Sequence, residues 1–535
     1  MNTNKHIIYY NLITELQKFL LSSAQKEFNL YLALGKSLDW DGNLPPDVSS
    51  SVDYMKKVYN NFIYMKKISV NDISSVIERI DWNPDTYYDC YDNSVDLSIR
   101  NQNKNLIRKF YVRNKFDQVF KCLWNNINVA NTYNILDIIN HNDQYLTIKH
   151  EGGTYDVGEY VTIDSVIPNE LNQTLKVINS SKSYVNVAHG NSGSYFITTS
   201  NTYISGGTIK SAVLTSEEPV FDTGSFDRNE IVRTSDGYKW KYLYTIDKGA
   251  KLKFFDNEIM PLPITLNTNY LTSPFGFGSI DVINVKNGGV YQNGTNTVNV
   301  IIRGDGTGAT AEAFVNNNTI KEITVTNPGK NYTYANISIE PAFGTTGYGA
   351  EITHSISPIG GHGFNLLKEL FSKQFSIVST FSRNEEYNFP TDIQFNQISL
   401  LYNPFTSFDL TSPSQSSYVN CMIEMILSYE GEPFKVGELV YQGINLDRAI
   451  FKGSVVSVDD INNTIKIINV SGTAQENYKI KGTQTAGEKI VQQIFLTEYI
   501  PYSGDLFYHE NIANIQRDPV GTEQIRIFID YTNIT

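Results

Sequence analysis

The spacing of apolar positions changes early in the chain. From Tyr9 to Ser23 they fall at Leu12, Leu16, Phe19 and Leu20, the roughly 3.6-residue period of a helix with one buried face. Ser49, Ser50 and Ser51 supply N-caps for a second helix over Val52 to Lys67, whose stripe is Met55, Val58, Tyr59, Phe62 and Met65. Asn71 or Asp72 caps a third, short helix over Ile73 to Glu78. From Asp81 onward, short β-branched and aromatic runs recur between Gly, Asn, Asp and Pro clusters, the pattern of antiparallel sheets. Examples are Lys109 to Val112, Gln118 to Leu123, Trp240 to Ile246, Gln397 to Leu401 and Gln524 to Ile529. One later helix is predicted from Asn365 to Phe371, after a glycine-rich turn.

Two β-rich stretches, 143–215 and 428–490, read as small inserted barrels or sandwiches. They echo each other. Gly153-Thr-Tyr-Asp-Val-Gly158-Glu-Tyr-Val161 resembles Gly431-Glu-Pro-Phe-Lys-Val-Gly437-Glu-Leu-Val440, and Asn172 to Asn179 (NQTLKVIN) resembles Asn462 to Asn469 (NNTIKIIN). The shared pattern reads as strand and turn chemistry, not as a common ligand. A third insert, 280–357, is a two-unit repeat. Gly289-Val-Tyr291, Val298 to Ile302 and Gly304 to Ala309 are followed by Gly329-Lys-Asn-Tyr332, Ile337 to Ile339 and Gly347 to Ala350. Gly and Tyr, an alternating strand and a Gly-x-Gly-Ala turn predict a duplicated hairpin unit.

Composition then narrows the function classes. Lys and Arg number 43 against 56 Asp and Glu, a net charge of −13, which argues against coating nucleic acid. No apolar run approaches the roughly 20 residues of a membrane span, and the opening residues, Met1 to His6, lack a signal-peptide pattern. Cys90, Cys122 and Cys421 are odd in number and far apart, so they read as reduced, mostly buried thiols. Tyr (35) and Phe (28) are abundant while charged residues are 19% of the chain, which suits a β-rich protein partly covered by partners.

A search for chemistry returns little. Gly304-Asp305-Gly-Thr-Gly308 lacks the Lys-Ser/Thr of a phosphate loop, and a strand pattern follows it, so it reads as a tight turn. Asp305 alone is not a calcium site. The seven histidines (His6, His141, His150, His189, His354, His362 and His509) include no pair at helical metal-binding spacing. Gly360-Gly361-His362-Gly363 could polarise a carbonyl, but Gly190-Asn-Ser192-Gly-Ser does not complete a nucleophile elbow, and a turn or packing role is the simpler reading. A distant carboxylate pair of glycosidase type has no local spacing to detect. We therefore expect no catalytic, cofactor-binding or metal-binding residue, and not an enzyme.

Several segments, taken in order, carry a resemblance. They are Tyr31-Leu-Ala-Leu-Gly35-Lys-Ser-Leu-Asp-Trp40 with Pro45-Pro46, then Asn71-Asp72 with Arg79-Ile-Asp81-Trp82, then Tyr88-Asp-Cys-Tyr91-Asp92 and Val119 to Leu123. Next come Asp236-Gly237-Tyr238-Lys-Trp240-Lys-Tyr242-Leu-Tyr244-Thr-Ile246 with Met260-Pro261, Gly304 to Ala311, and Thr326-Asn-Pro-Gly329 with Tyr332. Ser357-Pro358 with Gly360 to Gly363, Gln397 to Leu401 with Asn403-Pro404, Gly504 to Tyr508, Glu523 and Ile525 to Ile529 complete the series. In that order they resemble the baseplate wedge protein of contractile-tailed phages (myoviruses), the gene product 8 family. The two barrel-like inserts and the first helix have no counterpart in it.

The resemblance implies a structural subunit of the virion, assembled in the bacterial cytoplasm and placed in the tail baseplate. It implies a homodimer that joins neighbouring wedge subunits (gene products 6, 7 and 10) and rearranges with them on tail contraction, without nucleic-acid binding or membrane insertion. A host-glycan-binding tail protein is the alternative, and a glycan hydrolase a more distant one. The fold expected is mainly β (α+β): an antiparallel β-sandwich core with a helical N-terminal segment and inserted small β-modules. Its segments are 1–142 (helices and first core strands), 143–215, 216–279 (core), 280–357, 358–427 (core with a short helix), 428–490 and 491–535 (C-terminal core strands).

Overall fold

Alternating apolar and polar residues fold into antiparallel strands throughout the computed structural model, and with strand at 51% and helix at 6% the chain is mainly β. The structure describes residues 6–8, 29–126, 132–188, 202–222, 231–263, 278–381, 393–513 and 515–531, apart from 41, 43, 95, 102–103, 142–144, 153, 156, 159, 169–170, 295–296, 359, 486, 516 and 518–521. The helix expected over Tyr9 to Ser23 lies outside them. The chain divides into two compact units, one of residues 1–74 and 375–535, the other of residues 75–374.

In the first unit, a six-stranded sheet runs in the order His6–Ile8, Asp505–Asn511, Gln397–Tyr402, Leu30–Gly35, Phe62–Lys67, Tyr418–Asn420. Its central strand Leu30–Gly35 is buried at every position. The helix expected over Val52 to Lys67 ends at Asn60. Ser51 caps it, its hydroxyl accepting from Tyr54 N at 3.3 Å, and Phe62–Lys67 then turns to strand. Phe62, Ile63, Tyr64 and Met65 are consecutive and all buried, so both sides of this segment need cover, and pairing within a sheet provides it. The short helix expected over Ile73 to Glu78 is likewise a strand. One 3-10 turn, Val70–Asp72, precedes it, with Asp72 accepting from Ser69 N at 2.9 Å.

In the second unit, a four-stranded sheet is ordered Ile231–Arg233, Lys239–Thr245, Gln118–Trp124, Tyr111–Arg113. Its core includes Phe110, Tyr111, Phe120, Tyr238 and Trp240. The helix Leu366–Glu369, capped by Asn365, packs Leu366 and Leu370 into it. A helix absent from the sequence reading, Lys248–Phe254, starts where the Asp247 carboxylate accepts from Gly249 N (2.8 Å) and Ala250 N (3.1 Å).

Each unit also carries a closed barrel of six strands, one spanning Tyr133 to Ser211 and one Ile423 to Phe495. Both begin before the boundaries read from sequence. Numbering strands along the chain, the ring order is 1-2-5-4-3-6 in the first barrel and 1-4-3-2-5-6 in the second. These are one ring, circularly permuted: strands 2 to 6 of the first match 1 to 5 of the second, and strand 1 matches strand 6.

The repeat of 280–357 is not two side-by-side hairpins. Its strands nest: Ile280–Tyr291 pairs with Gly347–Ile356, Val298–Gly304 with Ala335–Pro341, and Thr307–Asn316 with Thr319–Lys330. Each unit's Gly and Tyr therefore meet the other unit's Gly-x-Gly-Ala turn. Gly289 (φ +60°) and Gly329 (φ +65°) occupy matching left-handed positions. A Cβ on Gly289 would lie 2.5 Å from Tyr348 O, and one on Gly329 would lie 2.6 Å from Ala309 N.

Candidate functional site

Asp305 and the three cysteines take structural roles. Asp305, in the turn after Val298–Gly304, accepts from Thr333 N (2.9 Å) and Tyr334 N (3.2 Å), so it ties the two repeats together. Those bonds, first from the Thr333 hydroxyl, hold its carboxyl down at about 2. The thiols of Cys90, Cys122 and Cys421 are free. Burial pushes all three up, Cys90 to about 12, which leaves none poised as a nucleophile. Among the described residues no group of three or more His, Cys, Asp or Glu is arranged to hold a metal ion. Ser192 lies outside the described residues.

His362 is different. It is buried in a network drawn from three distant segments: Lys121 on the strand Gln118–Trp124, Asp281 on Ile280–Tyr291, and His362 in the glycine turn with Glu369 at the end of the short helix that follows it. The Lys121 Nζ lies 2.5 Å from Glu369 Oε1 and 3.6 Å from the centroid of the Tyr91 ring. His362 Nδ1 stands 2.7 Å from the same Glu369 oxygen, and its Nε2 stands 3.0 Å from Asp281 Oδ2, off the angle of a hydrogen bond. Gly363 N donates to Glu369 Oε2 at 2.6 Å, and Ser279 Oγ donates to Asp281 Oδ1 at 2.7 Å.

Burial pushes the Glu369 carboxyl up, but Lys121 and then His362 outweigh it and hold it at about 2. Burial likewise pushes Asp281 up, and His362 with Lys241 turns the net shift downward. Lys121 itself is pushed down by burial, against the pull of Glu369. Acid, base and ammonium stand together here, yet Lys121 is fully buried and the other three side chains nearly so. Gly360, Gly361 and Gly363 all hold left-handed backbone, and a Cβ on Gly360 would lie 2.1 Å from the Phe364 ring.

A second constellation escaped the sequence reading. Ser399 Oγ lies 2.9 Å from His509 Nδ1, and Tyr54 OH lies 3.1 Å from Nε2. A hydroxyl on an imidazole is the start of a nucleophile–base pair. Both Ser399 and His509 are fully buried, and burial pushes His509 down to about 4, so this is a packed, neutral histidine of the six-stranded sheet. No local spacing could have found it: Tyr54, Ser399 and His509 come from a helix and two separate strands.

The aromatic run Tyr238 to Tyr244 lies in the core. Trp240 is fully buried, stacked on Tyr238 (centroids 5.4 Å, planes 15°) and edge-on to Tyr88. The opposite face of the strand, with Lys239, Lys241 and Leu243, is covered too, with Lys241 and Leu243 buried. Candidate contact residues are therefore elsewhere. The nested repeat exposes Phe343, Tyr348 and Tyr334, and the second barrel exposes Ile444, Ile461 and Tyr429. In comparisons with known proteins, no family model and no curated protein matches the chain.

Proposed function

We propose that the chain is a non-enzymatic structural subunit of a contractile phage tail baseplate wedge. The observation that carries this reading is where the resembling segments fall. Tyr31 to Gly35, Val119 to Leu123, Lys239 to Thr245 and Gln397 to Leu401 lie on central, buried strands of the two sheets. Between them along the chain come the barrels and the nested repeat, each with its own core and bearing exposed apolar side chains. A scaffold of that build works by what it touches. On this reading the protein dimerises, binds the neighbouring wedge subunits and shifts between packings only a few kcal/mol apart when the tail contracts.

Deleting the gene tests the reading directly. Virions should lack a complete baseplate, and imaging of wild-type particles should place the labelled chain there. Complete, contractile tails in the deletion strain would refute it. A monomer mass at every protein concentration would refute the dimer.

A further inference from the structure

In the first unit the outer wall of the second barrel meets the edge of the six-stranded sheet, and a cleft of about 560 Å³ opens between them. That volume lies in the range of roughly 300–1,000 Å³ typical of small-ligand sites. Three aromatic rings flank it: Tyr64 and Tyr418, 5.8 Å apart on adjacent strands, and Phe408 at the rim, 77% exposed. Phe408 stands in an anchored loop. Ser407 N donates to Glu498 O at 2.8 Å, and the Asp409 carboxylate accepts from Thr411 N at 2.8 Å.

The floor is polar. Glu424 and Lys466 are directly opposed on paired barrel strands, alternating with the inward-facing Ile423, Met425, Ile465 and Ile467. Neither side chain makes a hydrogen bond or ion pair among the described residues, and Glu498 uses one oxygen, Oε2, on Asn420 N at 2.9 Å. Two carboxylates against one ammonium disfavour an anion, while the charged floor disfavours a purely apolar ligand. The edge strand Tyr418–Asn420 is closed to an added peptide strand where Asn420 N and O are both bonded to Glu498.

We propose that this cleft binds a neutral oligosaccharide, its C–H faces against Phe408 and Tyr418 and its hydroxyls on Glu424, Lys466 and Glu498. Strands hold Tyr418, Glu424 and Lys466, and hydrogen bonds anchor the segments of Phe408 and Glu498, so the site is preformed. A contact role in a particle requires no sugar, so the two readings fail separately.

The test is calorimetric titration of the full-length protein with maltohexaose, cellohexaose, chitohexaose and, as charged control, a uronate hexasaccharide. At least one neutral sugar should bind saturably, at about 1 mM or tighter. Phe408→Ala and Glu424→Gln, both at solvent-reached positions, should each weaken binding at least about tenfold, a loss of roughly 1.4 kcal/mol, with unchanged unfolding midpoints. Silence with all three neutral sugars overturns the proposal, as would be seen if the cleft seats a protein segment instead. Binding that survives both substitutions, or preference for the uronate, overturns it as well.

Discussion

Replacing Lys121 with Met tests whether the buried network holds the second unit together. Met fills a similar volume but removes the ammonium 2.5 Å from Glu369 and leaves that carboxylate buried beside Asp281. Removing one partner of a buried pair costs about 3–5 kcal/mol, because the remaining charge loses its compensation. The carboxyl supports a figure at the lower end. Glu369 is held at about 2 against its ordinary 4.5, and at about 1.4 kcal/mol per unit that gives roughly 3 kcal/mol, shared between Lys121 and His362.

The sign follows from linkage. A depressed carboxyl contributes stability above its unfolded value and loses it as pH falls toward the folded one. The cost of Lys121→Met should therefore be full at pH 7 and shrink between about pH 4.5 and 2. Urea unfolding followed by tryptophan fluorescence is a suitable assay, since Trp82, Trp124 and Trp240 lie in this unit and only Trp40 in the other. Adding Glu369→Gln should recover part of the loss, as a double-mutant cycle requires of coupled charges. A single variant within about 1 kcal/mol of wild type at pH 7, or a cost that ignores pH, would refute the reasoning.

Trp240→Ala should destabilise the same unit by about 3–5 kcal/mol in urea; a variant that unfolds like wild type yet fails to assemble would mean that the ring serves a partner. Gly289→Ala and Gly329→Ala should cost similar amounts, on the order of 1–3 kcal/mol, because each clashes with the other repeat's turn at a matching φ; markedly unequal urea midpoints would contradict the nested symmetry. His509 is neutral in the fold at about 4 against 6.5 unfolded, so its contribution is present above pH 6.5 and lost as pH falls toward 4, on the order of 3 kcal/mol. His509→Gln should flatten the first unit's stability slope in that window, and an unchanged slope in urea titrations would count against it.

The strand content was legible because period-2 alternation is local. Gln118 to Leu123, Gln397 to Leu401 and Gln524 to Ile529 each lie within strands of the structure. Helix and strand were confused where apolar residues run without a gap. Phe62 to Met65 fits a helical stripe and a doubly buried strand equally, and only the distant partners at 30–35 and 418–420 decide between them. Both buried polar constellations were invisible for the same reason. Lys121, Asp281, His362 and Glu369 have no common spacing, and neither do Tyr54, Ser399 and His509.

The two echoes between the barrels show which local signals carry topology. Gly158 and Gly437 enter equivalent ring positions, each donating its N–H to the strand after the one it leads into, to Val177 O at 2.9 Å and to Val455 O at 2.8 Å. That echo is structural, because a turn that must present a backbone donor at one place tolerates few residues. The second echo places Asn172 to Asn179 on the fourth strand of the first barrel, whose counterpart is Ala449–Asp459. Asn462 to Asn469 lies one strand further on. An alternating run between asparagine turns satisfies any barrel strand, so its recurrence marks a shared period and not a shared position. The turn thus reports the common ring through its permutation, while the strand reports only that a barrel is being built.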